Sequence, residues 1–344
     1  MSKIAISTST GEIGRLIVAP AHLHAGNMDL TGDIGRLYGT AGFTIDYPRT
    51  VIEAVKSDKI TITGRDKDKE DTTNAEKYAR TFIDRFNIDG GITVNLKETI
   101  PKHLGMGSQT ALALSIGHAI SELYNRAVDI EEMALALGRS EIVALGLNSF
   151  KIGGFIVDGG YKIRDGSRVR MIPPCLFRYP VPEDWLFIVC IPNKPVPAIL
   201  KIKENEEEIL KTLKPMPEQM SDKLSRVMLM QVMPSIMEGD IKTFGRYITA
   251  FNSQLGGFWE EFQEGSTYCH PIVKDGIEIL LENGAYGACQ TCWGPTFYGI
   301  VDSGETARKL VEKLEDLIAN EGGGDVFYTT GNNHGAVIST IKKW

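Results

Sequence analysis

The sequence predicts an α+β protein of two domains, and three observations carry that expectation. The chain has 344 residues, more than one hydrophobic core ordinarily serves. Its first third reads as strands broken by glycine turns, whereas its second half carries long helical patterns. A proline-containing stretch, MIPPCLFRYPVPED, puts the expected boundary near residue 180, dividing 1–180 from 181–344.

The elements follow in chain order. Residues 15–19 are apolar, and AHLHAGNMDL continues them as a strand-like run with polar residues inside it. TGDIGRLYGTAGFTIDYP carries glycines at 32, 35, 39 and 42, which calls for tight turns or close backbone approaches. GRDKDKEDTT reads as a solvated loop or helix start. Ile92, Val94 and Leu96 alternate with polar residues, the pattern of a half-buried strand. After a glycine loop, Leu112, Ile116, Ile120 and Leu123 share one helical face. A second helix is expected from Ile130 to about Gly138, extending at most to Val143. FIVDGGYKI suggests a hairpin turning at Gly159 and Gly160.

DWLFIVCIP is an apolar strand. Helices are then expected in KENEEEILKTL, in the methionine-rich DKLSRVMLMQVMPSIMEGD, in HPIVKDGIEILLENG and in ETARKLVEKLEDLIANEG. The methionines are expected in the core, and Pro234 is expected to kink or end its helix. GAYGACQTCWGPTFYGIVD reads as a glycine-rich turn and then a strand, and DVFYTT and AVISTIKK close the chain.

Composition excludes several function classes. A formal charge of −7 without a Lys/Arg block offers no footprint for nucleic acid. No apolar window reaches the roughly eighteen residues of a membrane span. No signal peptide is expected behind MSKIAIS. Five cysteines suit a reducing cytoplasm. Cys289 and Cys292 form a lone C-x2-C, for which structural thiols are the expectation.

The stretch PKHLGMGSQTALALSIGHAI carries the chemistry. A glycine loop that opens directly into a helix suits an anion, because the first helical N–H groups lack internal partners and the helix dipole is positive there. The alternative is a plain helix entrance capped by Ser108. No Gly-Lys-Ser/Thr and no G-x-G-x-x-G is present.

Pro101, Gly105, Met106, Gly107 and Ser108 resemble the phosphate loop of the GHMP kinase superfamily. APAHLHAGNMDL resembles its first motif, and residues 284–294 resemble its glycine-rich third. MDLTGDIGRLYGTAGFTID, HLGMGSQTALAL, FKIGGFIVDGG and GAYGACQTCWGPTFYG together look like one branch, the β-ribofuranosylaminobenzene 5′-phosphate synthases of methanopterin biosynthesis. The resemblance implies a GHMP kinase fold, with an N-terminal domain like ribosomal S5 domain 2 and a ferredoxin-like C-terminal domain. It implies a cytoplasmic, archaeal-type homodimer. The implied reaction joins phosphoribosyl pyrophosphate to 4-aminobenzoate or 4-hydroxybenzoate with loss of CO2 and pyrophosphate. The alternatives are an ATP-dependent small-molecule kinase and a non-catalytic phosphate-binding relative. Gly146 stands where such kinases often carry a base Asp, and glycine cannot serve as one. The chain departs from the synthase pattern at 143–146, in SQTA at 108–111, and at His22, where an Arg is more usual. Another phosphoribosyl acceptor therefore stays open.

On that resemblance, Mg2+ is expected, with Asp29 and Asp33 as ligands and Asp158 behind them. Gly105, Met106, Gly107, Ser108, Gln109 and Thr110 are expected to cradle phosphate, with Arg36 and Lys102 as charge partners. Trp293 is expected as a wall for the aromatic acid, with Gln290 and Thr291 as donors to its carboxylate and Gly294 beside them. His22 and His24, two apart, share a strand face and aim at the site. His103, within the phosphate loop, is a similar candidate, and His334 in GNNHGA a weaker one.

Overall fold

The structure, a computed structural model, describes residues 13–65, 69–193, 214–263 and 265–342. Two long strands form its spine: β1 (Ile13–Asp29) and β2 (Arg36–Ser57) pair antiparallel with bulges at Pro20/Ala21 and His24/Gly26. β3 (Thr61–Thr63), helix α1 (Lys69–Phe86), β4 (Gly91–Glu98) and helix α2 (Ser108–Leu123) follow. Ile92, Val94 and Leu96 are all buried on one face of β4, as their alternation requires. α2 is buried on nearly every side rather than along one stripe. It packs on β1 and β2, on α1, and on the short helices α3 (Ile130–Ala136) and α4 (Leu145–Lys151).

The expected hairpin at Gly159 and Gly160 is corrected. β5 (Phe155–Asp158) and β6 (Tyr161–Arg164) do not pair with each other; both pair with β2. The hairpin lies one step later, between β6 and β7 (Ser167–Arg168), where Asp165 and Gly166 both take positive φ. β8 (Cys175–Tyr179) pairs with β5, and the first sheet has nine strands among the described residues.

The chain crosses to a four-stranded sheet at β9 (Leu186–Pro192), ordered β10 (Gly287–Gln290), β11 (Phe297–Val301), β9, β12 (Gly324–Thr330). Phe187, Val189 and Ile191 of β9 join the main core, while Ile188 and Cys190 face a second core. That alternation welds the two halves. Phe43 of β2 sits at the weld, 4.9 Å from Phe187, 5.0 Å from Phe155 and 6.0 Å from Tyr298 between ring centres. Burying each such ring contributes roughly 2–3 kcal/mol. β13 (Val337–Lys342) returns to pair with β1, so the last residues of 181–344 belong to the first sheet.

The methionine-rich segment is corrected too. It forms α5 (Glu218–Val227), a π-turn (Met228–Val232) and α6 (Met233–Glu238). The widened turn admits Pro234, which has no N–H to give. Met228 is buried, but Met230 and Met237 are exposed. Next come α7 (Ile241–Phe258), α8 (Pro271–Glu282) and α9 (Gly304–Ala319). The glycine-rich turn read at 284–294 contains a strand of its own, β10. The helix expected in KENEEEILKTL lies outside the described residues.

Candidate active site

β1 brings His22, His24 and Gly26 to one face, because strand side chains alternate, while Ala21, Leu23 and Ala25 enter the core. The glycine loop docks beside them. His22 N–H donates to Met106 O at 3.2 Å. Gly105 and Gly107 hold φ of 74° and 78°, and a Cβ on Gly107 would lie 2.2 Å from the His22 ring. Only glycine lets the loop turn there and lie against the imidazole. Gly107 caps α2 without any side-chain hydrogen bond, so the first N–H groups of α2 are left to a ligand or solvent. Ser108 is buried and is not the cap.

Three polar side chains join these parts to the second sheet. Thr291 Oγ1 accepts His24 N–H at 2.9 Å and donates to Gly105 O at 3.0 Å. Asn252 Nδ2 donates to Ala25 O and Gln290 O, both at 2.9 Å, and its Oδ1 accepts Gln290 N–H. Gln290 Oε1 accepts Cys269 N–H, and its Nε2 donates to Gln263 Oε1 and Cys292 O. The amide of Gln290 is thereby engaged with the protein, not turned to a carboxylate as expected.

A cavity of about 450 Å³ opens between these elements. His22, His24, Gly105, Gly107 and Thr110 line it beside the glycine loop, and Trp259, Trp293 and Tyr268 give it an aromatic wall, with Thr267 also in the lining. Trp259 and Trp293 meet edge to face, 4.5 Å between ring centres. No Asp, Glu, Lys or Arg lines this cavity among the described residues. Both histidine rings are half-buried and front on it. Removal from bulk water pushes the His22 imidazole down to about 3, with His24 as a second cause, and burial lowers His24 to about 4. Both are therefore neutral at pH 7.

Other expected residues lie elsewhere. Arg36 Nη1 donates to the carbonyls of Gly159 and Gly160 at 3.1 and 2.9 Å. Lys102 pairs with Glu70 at 3.3 Å and Asp71 at 3.6 Å, and His103 with Glu70 at 3.2 Å. Gln109 turns toward α1, its Oε1 accepting from Asn74 and Tyr78. Met106 and Gly294 are buried off the cavity, Gly294 packed against Cys269. His334 is exposed. Thr31 binds both Asp29 and Asp33, and neither carboxylate borders the cavity. Asp158 is fully buried and accepts the N–H groups of Thr40, Ala144 and Gly160. No three His, Cys, Asp or Glu side chains gather to hold a metal among the described residues. These residues do not fit a protein-held Mg2+.

Sequence reasoning missed Asn27, Tyr38, Asn252, Trp259, Gln263 and Cys292, all on the cavity wall. The segment from Asn252 to Tyr268 has no motif to announce it; its one signal is a Gly-Gly pair beside aromatic residues.

The fold and its glycine-flanked helix define a protein of the GHMP kinase superfamily: residues 74–155 match the GHMP kinases N terminal domain and residues 232–320 the GHMP kinases C terminal domain. The homoserine kinase of Cytophaga hutchinsonii superposes with a TM-score of 0.67 at 17% identity, covering 98% of this chain and 100% of that one. Leishmania major mevalonate kinase in complex with R-mevalonate gives 0.62 at 14% identity, covering 97% and 100%. Sequence relatives are more specific. The β-ribofuranosylphenol 5′-phosphate synthase of Methanocaldococcus jannaschii is 30% identical over 94% of this chain and 99% of its own, and that of Methanothermobacter thermautotrophicus is 29% identical over 94% and 98%. The chain belongs to the β-ribofuranosylphenol 5′-phosphate synthase family, a family of enzymes.

Proposed function

We propose that the cavity condenses phosphoribosyl pyrophosphate with 4-hydroxybenzoate or 4-aminobenzoate, in the service of methanopterin biosynthesis. The bond from the anomeric carbon to the pyrophosphate oxygen breaks. That carbon bonds to the ring carbon bearing the carboxylate, and CO2 leaves with its electron pair returned to the ring. The observation that carries the reading is one continuous cavity joining an uncapped helix N-terminus to an aromatic wall. The α2 N–H groups hold a phosphate. Neutral His22 and His24 hydrogen-bond beside it without fixing a charge. The aromatic wall sets the ring against the anomeric carbon, and such positioning supplies much of the acceleration. The aromatic wall shields the electron-poor sugar carbon on its side from water, which favours bonding to the ring over hydrolysis.

The kinase alternative is weakened by the site. Gly146 lines the cavity, and a Cβ there would lie 3.1 Å from Thr110. Among the described residues no carboxylate lines the cavity to take a hydroxyl proton. A homodimer is proposed on the family resemblance, and sedimentation of the purified protein checks it.

The test is one incubation with phosphoribosyl pyrophosphate and carboxyl-labelled 4-hydroxybenzoate or 4-aminobenzoate, with and without Mg2+. Equal release of labelled CO2 and pyrophosphate is expected. Pyrophosphate without CO2 indicates another acceptor. Neither product, with ADP formed from ATP and a small alcohol, restores the kinase. Ligand binding without any turnover supports the non-catalytic reading.

A further inference from the structure

Among the described residues, the side-chain amides on the cavity wall are those of Asn27, Asn252, Gln263 and Gln290. All but one have both ends engaged by the protein. Asn252 and Gln290 bridge the two sheets as described above. Gln263 Nε2 donates to the carbonyls of Gly256, Ser266 and Thr267, the shortest at 2.9 Å, and its Oε1 accepts from Gln290. These amides are struts of the wall.

Asn27 differs. It is only 6% exposed. Its Nδ2 donates at 2.9 Å to Oγ1 of Thr40, its cross-strand partner in the ladder of β1 and β2. Its Oδ1 accepts nothing among the described residues, yet it is not one of the unpaired atoms sealed inside the protein. With Nδ2 fixed on Thr40, the amide has one open end, and Asn27 lines the cavity. A buried acceptor without a donor costs stability, and a ligand that donates there removes the cost.

The chemistry of that end selects its partner. An amide oxygen accepts from O–H and N–H groups and carries no charge. Phosphate oxygens, which only accept when ionised, are repelled by it. The cavity therefore offers two opposite polarities: N–H donors at the start of α2 for an anionic group, and an acceptor on Asn27 for a neutral donor. A substrate with a phosphate at one place and hydroxyls at another is oriented by the pair.

We propose that Asn27 is a substrate-binding residue whose amide oxygen accepts a hydrogen bond from an uncharged hydroxyl or amine of the substrate. The proposal rests on the reading of the cavity given above. On that reading two parts of the ligand carry such a donor: the ribose, with its 2- and 3-hydroxyls, and the aromatic acid, with its para hydroxyl or amine. A site built to hydrogen-bond a substrate hydroxyl rejects the analogue lacking it, because the buried acceptor is then left unpaired.

Calorimetric titration separates the two sources without turnover. Wild-type protein is titrated with ribose 5-phosphate against 2,3-dideoxyribose 5-phosphate. It is then titrated with 4-hydroxybenzoate against benzoate, with ribose 5-phosphate present. One of the two pairs is expected to show a gap of about five-fold or more, and that pair names the donor. Asn27→Leu is expected to bring the same pair within about two-fold, and Asn27→Ala reads the same point if the leucine variant does not fold. Thr40→Val removes the cross-strand hydrogen bond but keeps the amide oxygen, and is expected to keep the gap. A gap that survives loss of the Asn27 amide overturns the proposal. A gap lost equally in Thr40→Val also overturns it, because Asn27 is then a strut like the other amides. No gap in a wild type that releases CO2 and pyrophosphate overturns the assignment of Asn27 and leaves the reaction standing. A gap that depends on Asn27 in a protein that releases neither product overturns the reaction and leaves Asn27 assigned. A wild type that binds none of these ligands overturns both.

Discussion

Thr291 and His24 are tied across the two sheets: the His24 N–H donates to Thr291 Oγ1 at 2.9 Å, and the same hydroxyl donates to Gly105 O at 3.0 Å. One hydroxyl thus sets the distance between the histidine strand, the phosphate loop and the third motif. Thr291→Val keeps the shape and removes both bonds. Each buried group left unpaired costs about 1–3 kcal/mol. The expected outcome is a melting temperature lower by several degrees, with phosphate affinity falling alongside. Thermal denaturation and a phosphate titration check both.

Gly107→Ala meets two obstacles at once, a φ of 78° and an imidazole where its Cβ must go. The loop or His22 must shift, and the α2 N–H groups move off their aim. Affinity for phosphoribosyl pyrophosphate is expected to fall about 100-fold, the scale of a one-ångström misplacement. Unchanged affinity, measured by calorimetry, would remove α2 as the phosphate cradle.

Trp293→Ala opens the aromatic wall and strips Trp259 of one of its edge-to-face partners, leaving Phe258 and Phe262. Such pairs contribute about 0.5–1.5 kcal/mol beyond their area. Binding of the aromatic acid is expected to weaken at least ten-fold while phosphate binding is kept. Loss of both together would place the wall's role in folding instead.

Asp158 and the histidines act on stability in opposite directions below neutral pH. Burial raises the Asp158 carboxyl from 3.8 to about 6, against three backbone N–H donors that favour its charge. A raised folded value gives stability that is present below the unfolded value and lost as pH rises to 6. The wild type is therefore expected to lose up to about 3 kcal/mol relative to Asp158→Asn between pH 4 and 6. His22 and His24 are depressed from 6.5 to about 3 and about 4. Their contribution is present above pH 6.5 and lost on acidification, on the order of 1 kcal/mol each after allowance for solvent in the cavity. Urea denaturation from pH 4 to 8, of the wild type against Asp158→Asn and against His22→Gln, separates the two signs.

Much of this protein is legible one residue after another. The alternation of Ile92, Val94 and Leu96 becomes β4, and PKHLGMGSQT becomes a loop feeding α2, because strand and helix periods and glycine freedom act over a few bonds. His22 and His24 share a face for the same local reason. The motif order likewise carries the superfamily without any coordinates.

Other features depend on partners far along the chain. Arg36 and Lys102 look like free cations until the fold brings Gly159, Gly160, Glu70 and Asp71 to them. Gln290 looks like a substrate donor until Cys269, Gln263 and Cys292 occupy its amide. Asp29 and Asp33 look like metal ligands until Thr31 gathers them into a turn. Polar side chains are satisfied by whatever the packing places within hydrogen-bond reach, and that reach joins residues hundreds of positions apart. Asn27 is the sharpest case. Its neighbours in AGNMDL say nothing of it, but the pairing of β1 with β2 puts Thr40 on one end of its amide and leaves the other end to the cavity.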